Sequence, residues 1–231
     1  MTTQKAINRD EPRPTDAPAR VLLVDDHPIV RFGLAQLIED EPDMAVCGQA
    51  TDAGEAMKMI PELDPDLIVV DITLDGTNGI ELIKQIKAQR ESAKMLVASM
   101  HDETLFAERA LRAGAKGYVN KHEATTELVH AIRRVLKGKI YLSDRMTDRM
   151  MERAVSGEED PNESSIDALS DRELEIFELI GRGMTARQIA QKLHLSIKTV
   201  DTYRSHIKGK MNLKNNSELA VHAAKWVLEK Q

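Results

Sequence analysis

Short apolar runs alternate with segments of helical period along the first 140 residues. The apolar runs lie at 21–24, 44–47, 67–70, 95–98 and 117–119. Helical periodicity lies between and after them, at 29–39, 53–63, 79–90, 104–113 and 125–136. Strands that are apolar on both faces are covered on both faces, and their alternation with helices is typical of βαβ units. We therefore predict a doubly wound α/β domain with a five-stranded parallel sheet, as in flavodoxin.

The strand pattern stops after a polar, turn-rich stretch at 157–165. Beyond it the periodicity predicts four helices, at 171–181, 185–193, 196–211 and 216–229. Ser170 and Glu173 form a capping-box pattern at the start of the first of these helices. The second and third are joined by a short turn at His194 and Leu195, which is the layout of a helix-turn-helix. Periodicity alone is equally compatible with a plain bundle that has a charged, solvated face.

These patterns divide the chain into four segments. Residues 1–19 are polar and rich in proline, which favours a disordered tail. We expect the α/β domain at 20–140, a partly helical linker at 141–166 and the helical domain at 167–231. Ser143 is expected to cap the linker helix, with an apolar side formed by Met146, Met150 and Met151.

Composition excludes several classes of protein. No stretch approaches the roughly 18 apolar residues of a membrane span, and the start of the chain lacks the apolar core of a signal peptide. We therefore expect a cytoplasmic protein with no membrane partner. The single cysteine, Cys47, rules out an intrachain disulfide, and we expect it to be a buried strand residue. Residues 165–231 carry 11 basic and 8 acidic residues, whereas residues 1–164 carry 21 and 30. This asymmetry weakly favours phosphate contacts by the second domain.

Polar residues follow the predicted strands at their carboxyl ends, where parallel sheets bind ligands. Asp25 and Asp26 follow the first run, Asp71 and Ser99 follow two others, and Lys121 follows the last. Each alone is an ordinary turn or cap residue, but three carboxylates together require a cation. Oxygen ligands suit Mg²⁺, and a carboxylate beside Mg²⁺ and an ammonium group is set up to attack phosphorus.

This joint pattern resembles the receiver domain of two-component response regulators over residues 20–137. The resemblance rests on Val24-Asp25-Asp26-His27, on the stretch from Val70 through Asp71 to Gly79, on Ala98-Ser99-Met100 and on Gly117-Tyr118-Val119-Asn120-Lys121. It implies that Asp71 accepts a phosphoryl group from a sensor histidine kinase. It also implies that Asp25 or Asp26, Asp71 and the backbone carbonyl of Thr73 hold Mg²⁺, and that Ser99 and Tyr118 are switch residues.

Four positions in this domain need separate comment. Asp75 and His122 stand where the family often has proline. His27 is either a residue of the acidic site or simply the start of a helix. His101 has no distinctive context.

The helical domain resembles the LuxR-type DNA-binding domain over residues 169–226. The match includes Leu169-Ser170-Asp171-Arg172-Glu173, the stretch from Gly183 to Ala190, Leu195 to Val200 and His206 to Met211. It implies DNA contacts from the outward positions of the third helix, namely Lys198, Thr199, Asp201, Thr202, Arg204, Ser205 and Lys208. Asp201 departs from the lysine of many relatives, and Tyr203 and Trp226 are expected in the core.

Together the two domains resemble the NarL/FixJ family. The resemblance implies a transcription regulator, not an enzyme, whose only chemistry is self-phosphorylation and autodephosphorylation at Asp71. It implies binding to double-stranded DNA and homodimers on phosphorylation. Relatives often mask the third helix with the receiver, and the sequence leaves that open.

Three alternatives remain at this stage. One is a regulator of the same fold that works without phosphorylation. A haloacid dehalogenase-type phosphatase is suggested by Asp75-Gly76-Thr77, but such an enzyme needs aspartate where Thr73 stands. A small-ligand sensor joined to the DNA-binding domain is disfavoured by the Asp25, Asp26, Asp71 and Lys121 set.

Overall fold

A parallel five-stranded sheet forms the centre of the first domain. Its strands are β1 (Ala19–Val24), β2 (Met44–Ala50), β3 (Leu67–Val70), β6 (Met95–Ser99) and β7 (Tyr118–Asn120), in the order β2-β1-β3-β6-β7. This confirms the predicted sheet. A separate antiparallel pair, β4 (Thr73–Leu74) and β5 (Thr77–Asn78), follows β3 and was not predicted.

The computed structural model describes residues 17–122, 125–156, 166 and 168–230. Most of the expected N-terminal tail and the turn-rich stretch at 157–165 lie outside these residues. Cys47 is only partly buried on β2, so it is less enclosed than expected.

Five helices cover the two faces of the sheet. They are α1 (Pro28–Glu39), α2 (Ala53–Leu63), α3 (Gly79–Gln89), α4 (Glu103–Ala113) and α5 (Thr125–Leu136). Helices α2, α3 and α4 have N-cap residues whose side chains accept a hydrogen bond from a backbone N–H of the first turn. These residues are Asp52, Asn78 and Asp102. The apolar residues of α1 and α5 form one core layer, and those of α2, α3 and α4 form the other.

A sixth helix, α6 (Asp144–Ser156), follows the sheet domain. Ser143 precedes it, and the Ser143 hydroxyl accepts from the Met146 N–H at 3.1 Å. Met146 is buried and Met150 is half-buried, as expected, but Met151 is 64% exposed. The prediction that Met151 lies on the apolar side was wrong, because the buried stripe of α6 is narrower than its run of methionines.

The C-terminal domain is helical, as predicted, with α7 (Asp171–Gly181), α8 (Ala186–Lys192), α9 (Ile197–Lys210) and α10 (Asn216–Lys230). Capping boxes at Ser170 and Thr185 start α7 and α8. Trp226 is buried and its ring lies 5.5 Å from that of Phe177, while Tyr203 is half-buried.

Helix α7 lies between the two domains. Every residue from Asp171 to Ile180 is buried, although four of these ten are acids and one is an arginine. The core layer of α3 and α4 continues into the apolar side chains of α7. A helix buried on all sides needs partners for its charges, and α7 finds several of them in the first domain. We call this contact of α7 with the first domain the docked arrangement.

Candidate functional site

The acidic residues that follow β1 and β3 meet at the carboxyl edge of the sheet, because β1 and β3 are neighbouring strands. Lys121, just beyond β7, reaches across to them. Its Nζ lies 2.6 Å from Asp25 Oδ2 and 2.6 Å from Asp71 Oδ2. All three side chains are almost completely buried. The structure thus brings together the residues that the sequence singled out at three separate strand ends.

Asp71 keeps one oxygen unpaired in this cluster. Burial raises the pKa of its carboxyl group, and the charge of Lys121 opposes that rise. Among the described residues, Asp71 Oδ1 has no hydrogen-bond partner, and Asp71 lines a cavity of about 330 Å³. An unpaired buried oxygen that faces a cavity is available to a ligand or to a reacting atom.

Asp25, Asp26, His27 and Asp71 offer ligand atoms that all lie within 4.8 Å of one another. Burial raises the pKa of Asp26, while His27, whose Nδ1 lies 2.5 Å from Asp26 Oδ1, lowers it. The three carboxylates supply the hard oxygen ligands that Mg²⁺ prefers, so the donor set fits that ion. His27 is also the N-cap residue of α1, so both interpretations of it hold.

The loop after Asp71 is packed tightly against it. The Gly79 N–H donates to the Ile72 carbonyl at 2.6 Å, and a Cβ on Gly79 would lie 1.9 Å from the Asp71 carbonyl oxygen. Only glycine permits this approach. Asp75 is exposed at the tip of the β4–β5 turn, so its charge is solvated. The Thr73 side chain points to the second domain.

Both expected switch residues contact His101. The Ser99 hydroxyl is buried and accepts from the His101 backbone N–H at 3.3 Å. The Tyr118 ring is fully buried, and its hydroxyl donates to the His101 carbonyl at 2.9 Å. Burial raises the pKa of Tyr118, which keeps that hydroxyl protonated. The backbone of His101 is therefore held by the two residues expected to move on phosphorylation.

The His101 ring reaches the second domain through a buried network, which we call the interdomain network: Thr73, Asn78, His101, Glu175 and Glu178. The Thr73 hydroxyl donates to Glu175 Oε1 at 2.9 Å, so its oxygen accepts from His101 Nε2, also at 2.9 Å. His101 Nδ1 lies 2.5 Å from Glu178 Oε2 and must donate to that carboxylate. Both ring nitrogens therefore carry protons, and His101 is an imidazolium.

The pKa shifts agree with this proton count. Burial alone would lower the pKa of His101, but its hydrogen bonds to Glu175 and Glu178 raise it to about 9. Burial would raise the pKa of Glu175, but His101 and Arg172 lower it to about 2. Glu175 Oε2 also accepts from Asn78 Nδ2 at 3.0 Å and from Arg172 at 2.8 Å. The network is a buried set of charges with every partner supplied.

Sequence reasoning missed this network. His101 has no distinctive neighbours in the chain, and its partners Thr73 and Glu178 lie 28 and 77 positions away. One signal was present: Glu175 and Glu178 are three residues apart in the part of α7 after its charged first turn, where no other residue from 174 to 181 is charged. A helix of that composition is buried, and two buried acids require cations.

Two further cations of the first domain hold the N-terminal end of α7. Lys84 Nζ on α3 lies 2.7 Å from Asp171 Oδ2. Arg109 on α4 donates to the carbonyls of Leu169 and Ile166, each at 2.7 Å, and lies 3.3 Å from Asp171 Oδ1. The N-terminus of α7 is thus held by charge pairs, and its middle by the interdomain network.

The proposed DNA-contacting face of α9 is open in the docked arrangement. Lys198, Asp201, Thr202 and Ser205 are exposed, and Thr199, Arg204 and Lys208 are half-buried. The Arg204 guanidinium lies 3.3 Å from Asp201 Oδ1, so the acid neutralises a neighbouring cation of the same face. The first domain therefore does not mask this helix in the docked arrangement.

Comparison with known proteins gives two family matches. Residues 21–133 match the response regulator receiver domain, and residues 167–223 match the bacterial regulatory proteins of the luxR family. The oxygen regulatory protein NreC of Staphylococcus haemolyticus is 34% identical over 210 residues, which cover 89% of this chain and 97% of NreC. The transcriptional regulatory protein LiaR of Bacillus subtilis is 36% identical over 208 residues, 88% of this chain and 96% of LiaR.

Solved structures of RcsB have the same architecture. RcsB from Salmonella enterica serovar Typhimurium, bound to promoter P1flhDC with the phosphomimetic BeF3⁻, is 27% identical with a TM-score of 0.60, covering 90% of this chain and 98% of RcsB. A structure of two RcsB dimers on two parallel DNAs is 27% identical with a TM-score of 0.56 and the same coverage. Within the described residues, no helix is long and apolar enough to cross a membrane.

Proposed function

Because the chain belongs to the NarL/FixJ family of two-component response regulators, we propose that Asp71 accepts a phosphoryl group and thereby controls DNA binding by α9. The chain is a transcription regulator with a receiver and a LuxR-type domain. The observation that carries the proposal is Asp71 itself: Oδ2 is held by Lys121 at 2.6 Å, Oδ1 has no partner among the described residues, and Asp71 lines a cavity. A transcription regulator would work in the cytoplasm, where bacterial DNA lies.

In this proposal the donor is a phosphohistidine of a sensor kinase. Asp71 Oδ1 forms the new P–O bond as the P–N bond breaks, and the imidazole nitrogen leaves with the electron pair. Lys121 stays beside Asp71 and balances charge on a phosphoryl oxygen. Mg²⁺, when held by Asp25, Asp26, Asp71 and the Thr73 carbonyl, would supply further positive charge to the phosphoryl oxygens.

Ser99 and Tyr118 would carry the signal onward. A phosphoryl group on Asp71 would draw the Ser99 hydroxyl towards it as a donor. Ser99 now accepts from the His101 N–H, and Tyr118 holds the His101 carbonyl, so this movement shifts His101. Displacing His101 strains its bonds to Thr73 and Glu178. The expected result is release of α7 and formation of a homodimer that binds two DNA half-sites.

The test measures phosphorylation, dimer content and DNA affinity together. Purified protein is incubated with acetyl phosphate and MgCl₂ and analysed by phosphate-affinity electrophoresis, gel filtration and fluorescence anisotropy with promoter DNA. We expect phosphorylation, more dimer and tighter DNA binding for the wild type, and none of these changes for Asp71→Asn. Unchanged behaviour of the phosphorylated wild type would contradict the proposal.

A second candidate function is a regulator that needs no phosphorylation. The observation that favours it is the open face of α9 in the docked arrangement. It predicts that Asp71→Asn and wild type bind the same promoter DNA equally well with and without acetyl phosphate. The same experiment therefore decides between the two functions.

A further inference from the structure

The cavity beside Asp71 is formed by both domains. On the receiver side it is lined by Asp71, Ser99 and Lys121, and on the other side by Arg182, Lys192 and His194 of the DNA-binding domain. Its volume of about 330 Å³ is at the lower end of the range of small-molecule sites, roughly 300–1,000 Å³. The docked arrangement therefore forms a partly open space, of a size suited to a small ligand, that is lined by Asp71.

The wall supplied by the DNA-binding domain has more basic than acidic side chains, with Arg182, Lys192 and His194 beside the single acid Glu178. Arg182 follows α7, Lys192 ends α8, and His194 lies in the α8–α9 turn with a left-handed φ of 52°. With Lys121 from the receiver side, the basic side chains of both domains line the same cavity as Asp71.

We propose that, in the docked arrangement, Arg182, Lys192 and His194 form an anion-binding wall of the phosphoacceptor site that holds a small phosphoryl donor. The donor class is an acyl phosphate or a phosphoramidate. This inference rests on the proposed function of Asp71 and adds the DNA-binding domain to its site. The wall binds the donor, while Lys121 and Asp71 act at the reacting phosphorus.

The transfer step balances for both donors. With acetyl phosphate, Asp71 Oδ1 forms a P–O bond, the bridging P–O bond of the donor breaks, and acetate leaves with the electron pair. With phosphoramidate, the P–N bond of the zwitterion breaks and ammonia leaves. No bond to Arg182, Lys192 or His194 forms or breaks in either step, so the wall acts on donor binding rather than on bond cleavage.

The test separates donor binding from transfer. Phosphorylation rates over a range of acetyl phosphate concentrations, at fixed MgCl₂, give the half-saturating concentration and the limiting rate. For Arg182→Gln/Lys192→Gln/His194→Asn we expect the half-saturating concentration to rise roughly tenfold, since each partly exposed charge contributes about twofold. The limiting rate should stay the same. The control Lys58→Gln/Lys116→Gln/Lys139→Gln removes three exposed charges elsewhere and should match the wild type.

Inorganic phosphate supplies a second measurement that needs no transfer. Its dissociation constant, from ³¹P NMR titration, should rise by the same factor in the wall variant. If Asp71 is never phosphorylated, the proposed function fails, yet this binding shift still tests the wall. Equal constants in wild type and wall variant would overturn the inference.

The triple variant also removes the ion pair between Arg182 and Glu178, whose charged atoms lie 2.7 Å apart. A second variant is therefore needed to separate the loss of this pair from the loss of anion binding. Lys192→Gln/His194→Asn leaves that pair intact and should raise both constants roughly fourfold. If only the triple variant differs from the wild type, the effect comes from the lost Arg182–Glu178 pair, and the anion-binding wall is refuted.

Discussion

Glu175→Ala should weaken the docked arrangement while leaving the side chains of the proposed phosphoacceptor site, Asp25, Asp71 and Lys121, unchanged. The Glu175 carboxylate is fully buried and takes hydrogen bonds from Thr73 at 2.9 Å and Asn78 at 3.0 Å across the domain interface. Charge-assisted hydrogen bonds contribute about 1.5–3 kcal/mol each, so the two together account for roughly 3–6 kcal/mol. Removing one partner of a buried charge pair costs about 3–5 kcal/mol, which is consistent with this sum. We therefore expect the free energy of docking to become less favourable by about 4 kcal/mol. This lowers the equilibrium constant for docking by a factor of roughly 1,000.

The assay exploits the single tryptophan. Trp226 lies in the DNA-binding domain and packs on Phe177 of α7, so its fluorescence follows unfolding of that domain. While the domains are docked, the free energy of docking adds to the unfolding free energy of this domain. The unfolding free energy falls by about 2 kcal/mol per molar urea. Losing the docking energy should therefore lower the urea midpoint of unfolding by roughly 2 M. Small-angle scattering should show a larger radius of gyration for the same variant.

Two further variants serve as a control and as an intermediate case for this measurement. Glu62→Ala removes an exposed acid of α2 and should leave the midpoint and the radius unchanged. Glu175→Gln keeps the size of the side chain but not its charge, so its midpoint should fall between the other two. A midpoint for Glu175→Ala within about 0.5 M of the wild type, with the same radius, would refute the role assigned to the interdomain network.

Three further predictions follow from the same structure. Docking should weaken in alkaline solution: the stabilisation from charged His101 is complete below its unfolded pKa of 6.5 and is lost as pH rises through about 9. Scattering from pH 6 to 10 should show this expansion, and an equally strong expansion in His101→Gln would contradict it. Gly79→Ala should cost at least about 3 kcal/mol, because its Cβ would lie 1.9 Å from the Asp71 carbonyl oxygen. Thermal melts measure this loss. The control Gly33→Ala, where nothing lies within 4 Å of the added Cβ, should be neutral or stabilising, and equal melting temperatures for the two variants would count against this reasoning. Asp201→Lys should free Arg204 and tighten non-specific DNA binding roughly tenfold at low salt, with a steeper salt dependence; an unchanged slope in an anisotropy titration would remove α9 from the DNA interface.

The sequence was sufficient for the sheet and for the acidic cluster, for a geometric reason. Apolar runs of three or four residues separated by helices leave few arrangements other than a parallel sheet. In a parallel sheet the carboxyl ends of all strands lie on one edge. Asp25, Asp71 and Lys121 follow such ends and therefore approach one another. Their ion pairs at 2.6 Å follow from topology and need no long-range prediction of side chains.

Local patterns were less reliable for the linker helix and for very short strands. Met151 belongs to a methionine-rich helix face, yet it is exposed while Met146 of the same helix is buried. The β4–β5 pair was missed because its two-residue strands carry no periodic pattern.

The sequence by itself determined two domain types, the order of their elements and the residues at the phosphoacceptor edge, since these depend on short-range periodicity and on chain topology. Only the tertiary structure decided how the domains meet. His101, Glu175 and the Arg182, Lys192 and His194 wall gain their roles from contacts between positions far apart in the chain. Such contacts depend on how two folded surfaces pack, and hydrophobic periodicity contains no information about that packing.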